Sequence, residues 1–180
     1  MEEVPLRNIE IKARIESIEL MAPRVAVLAD KEPVELDQDD TFFRCPAGRL
    51  KLRAWPAGDG VLIYYQRPDC SGPKESFYVL ADTHEPDALR EVLTHAYGQI
   101  GRVRKHRTLF WRGRTRIHLD HVEGLGTFLE LEVMLEEGEP AEVGEEVARE
   151  LMERLGIAPE QLIEVAYLDL LEAKSTPGGE

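Results

Sequence analysis

The sequence predicts an α+β fold in which eight antiparallel strands close into a barrel, or tunnel, with helices packed on the outside. Three observations lead to this fold class. Apolar and polar residues alternate in several of the eight segments that we interpret as strands, and this period of two residues is typical of β-strands. Short connections that contain glycine join several of these segments, as they do between antiparallel strands. Charged residues also recur in pairs two positions apart, and an apolar face backs each pair.

Turn signals such as Gly58-Asp59-Gly60 and Arg112-Gly113-Arg114 separate predicted strands. The strands are expected at residues 6–16, 36–45, 49–55, 60–67, 74–81, 101–112, 114–123 and 126–136. Helical periodicity is confined to fewer segments, and the one near 17–29 is expected to be interrupted at Pro23. The other helices or helical turns are expected at residues 86–98, 143–156, 159–164 and 166–172.

Length and composition favour one packed domain, which we place at residues 1–172, followed by a disordered tail at 173–180. Hydrophobic residues make up 43% of the 180 residues, which excludes wholesale disorder. We find no secretory signal pattern, and no apolar run reaches the roughly 20 residues that a membrane helix needs. Two cysteines predict neither a disulfide framework nor a zinc site. We therefore expect a cytoplasmic protein that binds no membrane.

The net charge of −13 argues against a general nucleic-acid binder, but it hides two blocks of opposite sign. Residues 102–116 contain seven Lys and Arg and no acid, whereas residues 120–172 contain sixteen acids and only two Arg. An acidic protein that concentrates its cations is expected to hold a small anion. RNA binding through residues 102–116 is a weaker alternative, since aromatic residues would have to alternate with the cations, and Phe110 and Trp111 come only at the strand's end.

Two arrangements explain the paired charges, and the residues alone leave both open. In one, an antiparallel sheet turns its charged face to water and its apolar face to helices. In the other, the strands close and the charges line a lumen, where cations and carboxylates must offset the cost of burial. Basic and acidic pairs occupy different strands, which favours the closed barrel with a metal-bound polyphosphate inside. The pairs are Lys51 with Arg53, Lys105 with Arg107, and Glu130 with Glu132.

Several motifs follow one another along about residues 6 to 171, and they are NIEIKARI, DDTFFR, LKLR, GPKES, VRKHRTLF, TRIHLDHVEGLGTFLELE and AYLDLL. Their order resembles that of the CYTH domain, or triphosphate tunnel metalloenzyme, superfamily. This superfamily includes class IV adenylate cyclases, thiamine triphosphatases and inorganic triphosphatases. The resemblance implies an eight-stranded tunnel with the active site inside.

The resemblance also implies roles for individual residues. Carboxylates that hold Mg²⁺ or Mn²⁺ would be Glu10, Asp120, Glu130 and Glu132. Triphosphate ligands would be Lys12, Lys51, Arg53, Lys105, Arg107 and Arg116. We name Lys74 and Arg67 as candidate catalytic residues. Tyr167 is either a core residue or a cover for one tunnel mouth.

Three positions depart from the family pattern. Asn8 replaces the first glutamate of the ExExK motif, which weakens or reshapes one metal site. Gln66 and Arg67 stand where the family often has a lysine before a proline. Thiamine triphosphatases have a DTYY-like stretch that supplies a tyrosine, whereas Phe42 and Phe43 stand in this stretch here. The group that activates a nucleophile therefore stays open.

The most direct interpretation is a metal-dependent enzyme that hydrolyses an inorganic or organic triphosphate, because hydrolysis requires only that the site hold the phosphates and orient a water molecule. Tripolyphosphate, thiamine triphosphate and ATP are the candidate substrates. The first alternative is a class IV adenylate cyclase, and the second is a catalytically silent module that binds polyphosphate or nucleotide. The sequence leaves the oligomeric state open, including a homodimer. His118 and His121 lie three positions apart on a strand and should face opposite sides, which argues against a zinc pair.

Overall fold

Eight antiparallel strands form a closed barrel, which confirms the predicted fold class. A computed structural model of the protein describes residues 6–66 and 72–175. The strands are β1 (Leu6–Arg14), β2 (Val34–Phe43), β3 (Arg49–Ala54), β4 (Gly60–Gln66), β5 (Lys74–Thr83), β6 (Gln99–Arg112), β7 (Thr115–Val122) and β8 (Gly126–Met134). Their order around the barrel is β1-β5-β4-β3-β2-β6-β7-β8, and β8 pairs with β1 to close it.

The helices lie outside the barrel and agree with the predicted segments apart from their ends. They are α1 (Ile18–Leu28), α2 (Pro86–Tyr97), α3 (Ala141–Leu155) and α4 (Tyr167–Ser175), and a 3₁₀ turn spans Pro159–Gln161. The last helix continues three residues beyond the predicted domain end, into the segment predicted as a tail. Residues 176–180 of that segment, and the candidate catalytic Arg67, lie outside the described residues.

The predicted interruption of the first helix at Pro23 is wrong, because α1 runs through this residue. The Ser17 side chain caps the helix by accepting a hydrogen bond from the backbone N–H of Leu20 at 3.2 Å. Met21, Val25 and Leu28 are buried on the barrel-facing side of the helix. This packing outweighs the one backbone hydrogen bond that a proline removes.

The strand alternation sorts apolar side chains outward, towards the helices, and polar side chains inward. Ile9, Ile11 and Ala13 of β1 are buried in the main hydrophobic cluster, which also contains Val25 of α1 and Leu151 of α3. The intervening residues of β1 point into the barrel. In the described part of the chain, no helix is long and apolar enough to cross a membrane.

The close approach of α4 to the barrel depends on Gly101 in β6. A Cβ atom at this position would overlap Cδ1 of Leu168, the second residue of α4. Leu168 is buried there together with Phe42, Val103 and Phe128. The glycine thus allows the start of α4 to lie directly over one end of the barrel.

Candidate active site

The barrel encloses a tunnel of about 450 Å³, and all eight strands contribute side chains to its lining. Strand register arranges the charges in rungs across β1, β8 and β7. Lys12 lies opposite Glu130, which in turn lies opposite His118. The next rung joins Glu10, Glu132 and Arg116 in the same way. The paired charges of the sequence therefore face a common lumen, as the closed-barrel interpretation predicts.

Glu130 lies at the centre of a dense group of charges. Its carboxylate contacts the Nζ of Lys12 at 3.3 Å and accepts a hydrogen bond from the Arg107 guanidinium at 2.6 Å. Glu132 forms an ion pair with the Arg116 guanidinium at 2.7 Å. Burial alone would raise the pKa of Glu130, but Lys105, Lys12 and the other cations nearby hold it well below its usual range. Both glutamates are therefore ionised at neutral pH.

Asp120 is completely buried and organises the cationic wall. It accepts hydrogen bonds from Lys105 Nζ at 2.9 Å, from Arg107 at 2.6 Å through two nitrogens, and from the Tyr167 hydroxyl at 3.0 Å. Burial would raise the pKa of Asp120, but Arg107 and Lys105 hold it well below its usual range. Hydrogen-bond donors therefore surround this predicted metal ligand. Its role in metal binding stays a prediction.

A second carboxylate, Asp40 of β2, was not identified from the sequence. It accepts hydrogen bonds from Lys51 Nζ at 2.7 Å and from two nitrogens of Arg53 at 2.7 and 2.8 Å. The sequence pattern that could have identified Asp40 is the spacing of Leu36, Gln38 and Asp40 at every second position of β2, and all three side chains line the tunnel. Asp40 and Asp120 play the same part on two sides of the lumen, where each holds two cations in place.

The remaining predicted residues lie near the start of α4. Lys74 is buried, lies opposite Glu10 in the β1–β5 register, and donates a hydrogen bond to the backbone carbonyl of Glu164 at 2.5 Å. Lys12 donates to the carbonyl of Val165 at 3.2 Å. Tyr167 follows, with its ring centroid 4.0 Å from the Lys12 ammonium. Tyr167 therefore packs in the core and also covers one tunnel end.

The opposite end of the tunnel is mostly apolar, although the Asp82 carboxylate also lines it. The apolar residues there come from the other ends of the strands and from the turn after β3, and they are Leu36, Trp55, Val61, Leu80 and Leu109. Leu80 is 45% exposed, which is high for a leucine in a cavity lining. The tunnel therefore has a charged middle and an apolar mouth.

Lys51 is a cation of the tunnel whose charge we expect to change near neutral pH. Burial lowers the pKa of its ammonium to about 8, although Asp40 opposes this shift. At pH 8 about half of the Lys51 side chains are then neutral, and a bound polyanion favours the charged form. We expect binding of tripolyphosphate at pH 8 to take up protons, measured by calorimetry in buffers of different protonation enthalpy. Lys51→Arg should lose this uptake, and equal uptake in both proteins would contradict the prediction.

The donor set of the carboxylate wall fits a divalent metal. His118, Glu130 and Glu132 each offer a ligand atom, and these atoms lie within 4.8 Å of one another. His118 Nδ1 is buried and has no hydrogen-bond partner among the described residues. Carboxylate oxygen and imidazole nitrogen are both common metal ligands. Sequence reasoning had set His118 aside, because it considered only a pairing with His121, which is exposed.

A closed barrel whose cations and carboxylates converge on one cavity defines a class of protein, a tunnel suited to a metal-bound polyanion. The family model of the CYTH domain matches residues 6–167, and the chain belongs to this family. The family depends on metal ions and includes adenylate cyclases and triphosphatases. Adenylate cyclase CyaB of Aeromonas hydrophila is 24% identical over 181 residues, which cover 96% of this chain and 93% of that protein.

Two solved structures share the fold. The PH1012 protein of Pyrococcus horikoshii OT3 superposes with a TM-score of 0.81 at 23% identity, covering 91% of this chain and 98% of that one. HpAC1 of Hippeastrum, described as an adenylyl cyclase with a dominant triphosphatase activity, gives a TM-score of 0.64 at 18% identity. The superposition covers 94% of this chain and 97% of the HpAC1 chain. These similarities confirm the barrel topology.

Proposed function

We propose that the protein is a metal-dependent enzyme that hydrolyses a triphosphate bound inside the tunnel. The observation that carries this proposal is the convergence of cations and carboxylates on one cavity. The cations share the cavity with a group that can hold a metal, and Lys12, Arg107 and Arg116 contact its glutamates directly. The cations are Lys12, Lys51, Arg53, Lys105, Arg107 and Arg116. This combination matches the charge of a metal-bound triphosphate.

The cations would hold the phosphate oxygens and neutralise the charge that spreads over them as the phosphorus–oxygen bond breaks. Arg53 and Arg107 present planar guanidinium groups that can bind phosphate through two parallel hydrogen bonds. Asp40 and Asp120 fix the positions of these groups before the substrate arrives. A divalent metal held by His118 and the two glutamates would add charge neutralisation and orient a water molecule.

Adenylate cyclase activity is the alternative, and two observations favour it. A relative that covers most of the chain is named adenylate cyclase. The apolar mouth with Trp55 can also receive an organic group while the phosphates occupy the charged middle. In this reaction the ribose 3′-hydroxyl would attack the α-phosphorus and pyrophosphate would leave. The same mouth is compatible with an organic triphosphate that is hydrolysed.

One assay tests these functions together. Purified protein with Mg²⁺ or Mn²⁺ is incubated with tripolyphosphate, thiamine triphosphate and ATP, and phosphate, pyrophosphate and cyclic AMP are measured. Released phosphate would support hydrolysis and identify the substrate. Pyrophosphate with cyclic AMP would instead show a cyclase. If no product forms but tripolyphosphate raises the melting temperature, the protein is a binding module.

Arg53→Ala is expected to weaken triphosphate binding far more than monophosphate binding. Loss of a charged hydrogen-bond donor costs about 1.5–3 kcal/mol, which corresponds to about a 10- to 100-fold higher Kd. Calorimetric titration of tripolyphosphate and of phosphate measures both effects. Arg104→Ala is the matched control, because this exposed arginine of β6 points away from the tunnel. Equal losses for the two ligands would contradict a triphosphate site.

A further inference from the structure

His118 is a buried side chain of the tunnel that the proposed phosphate contacts do not use. It lies on β7 between the inward-facing Arg116 and Asp120, and only 2% of its surface is exposed. Its Nδ1 atom is buried without a hydrogen-bond partner in the described part of the chain. A buried polar atom without a partner pays the full cost of desolvation, so its position calls for a ligand.

The distances around Nδ1 suit a cation better than a hydrogen bond. The nearest carboxylate oxygens are Glu130 Oε2 at 3.6 Å and Glu132 Oε1 at 3.8 Å. Both distances are too long for a hydrogen bond. Metal–ligand bonds of about 2.0–2.2 Å, however, separate neighbouring ligand atoms by about 3–4 Å. Both carboxylate oxygens therefore lie at the spacing from Nδ1 that neighbouring ligands of one metal have, and the ligand atoms of the three residues lie within 4.8 Å of one another.

Glu10 also lines the tunnel, opposite Glu132, but two other positions near the site make a nitrogen ligand more important in this chain. Asp120 is held by four hydrogen bonds from Lys105, Arg107 and Tyr167. Asn8, whose side chain lines the tunnel, brings no charge. The carboxylates beside Nδ1 are each hydrogen-bonded or ion-paired to an arginine, and each oxygen has further lone pairs for a metal.

We propose that His118 binds the metal through Nδ1 and that the centre takes Mn²⁺ in preference to Mg²⁺. Mg²⁺ favours oxygen ligands throughout, whereas an imidazole nitrogen suits transition metals. This inference deepens the proposed function, because it names the class of metal at the same site. It concerns metal binding by the free protein and does not require turnover.

Pulsed electron paramagnetic resonance of bound Mn²⁺ tests the inference directly. The full chain is loaded with Mn²⁺ without substrate, and the spectrum is searched for ¹⁴N coupling from a coordinated imidazole. We expect this coupling in the wild type and its loss in His118→Gln, together with at least about a tenfold fall in Mn²⁺ affinity. Mg²⁺ affinity, measured by competition, should change less. His121→Gln is the matched control, since His121 lies on the same strand but is exposed.

Bound Mn²⁺ without ¹⁴N coupling in the wild type, or no Mn²⁺ binding at all, would overturn the inference. Absence of coupling in the wild type overturns the inference without any variant. Where coupling is present, its persistence in His106→Gln excludes a second centre at His106, which lies beside Glu35 and Asp37. Triphosphate hydrolysis with Mg²⁺ and no ¹⁴N coupling would retain the proposed function and reject the histidine ligand. A ¹⁴N-coupled Mn²⁺ centre without any turnover would support the histidine ligand and reject the proposed enzymatic function.

Discussion

Replacing Glu130 or Glu132 by glutamine is expected to abolish the metal-dependent activity and to leave the barrel folded. The substitution keeps the size of the side chain but removes the negative charge that a divalent metal needs. Loss of a direct ligand should cost at least the roughly 100-fold that loss of a supporting partner can cost. Turnover of the substrate identified above, measured with Mg²⁺ and with Mn²⁺, gives the result. Circular dichroism verifies that each variant is folded.

The two glutamate variants should also differ in stability. Glu130 contacts both Lys12 and Arg107, whereas Glu132 pairs with the less buried Arg116. Glu130→Gln is therefore expected to lower the melting temperature more than Glu132→Gln. Glu137→Gln, at an exposed position after β8, should change neither activity nor stability. If both tunnel variants kept full activity, the two glutamates would not be ligands of a catalytic metal.

The fold could be predicted from local patterns because a strand has a period of two residues. In β1, Ile9 and Ile11 point to the helices while Glu10 and Lys12 point to the lumen. Closure of the barrel was not a local property. It followed from the separation of basic and acidic pairs between strands, which an open sheet in water would not need.

The partners of individual charges depend on strand register, and only part of it could be predicted. The short turn after β7 places Val122 opposite Gly126, and counting back from it places His118 opposite Glu130. The sequence therefore contained the signal for this pair. The contact of Asp40 with Arg53 joins β2 and β3 across a longer connection, whose length does not set the register.

Interactions with the last helix were beyond sequence reasoning for a different reason. The segment before α4 accepts hydrogen bonds from Lys12 and Lys74 through backbone carbonyls, and these groups carry no sequence signal. The sequence left Tyr167, the first residue of α4, open between a core position and the tunnel mouth, and the weak hydrophobic pattern of this helix did not decide between them. Tertiary packing determines both features.

Asp120→Asn is expected to be among the most destabilising single substitutions in the tunnel. The carboxylate is completely buried and compensates Lys105 and Arg107. Breaking a buried ion pair by removing one partner costs about 3–5 kcal/mol, because the other charge stays buried without compensation. Chemical denaturation of wild type and variant at pH 7 measures the difference in the free energy of unfolding. Asp39→Asn, which breaks a more exposed pair with Arg102, should cost about 1 kcal/mol or less.

The pH dependence of this difference provides a second test. The pKa of Asp120 is lowered in the folded protein, so its stabilising contribution is present above the unfolded pKa of about 3.9. It is lost as the pH falls through the lower folded value. The difference between wild type and Asp120→Asn should therefore be constant near neutral pH and shrink below about pH 4. A difference that did not change with pH would show that it arises from packing and not from charge.

Tripolyphosphate should partly replace the missing carboxylate, because its oxygens can compensate the same two cations. We expect it to raise the melting temperature of Asp120→Asn more than that of the wild type, since the variant starts with Lys105 and Arg107 uncompensated. Asp39→Asn should respond like the wild type, because its pair lies outside the tunnel. If tripolyphosphate failed to stabilise the variant, Lys105 and Arg107 would be structural partners of Asp120 and not ligands of the substrate.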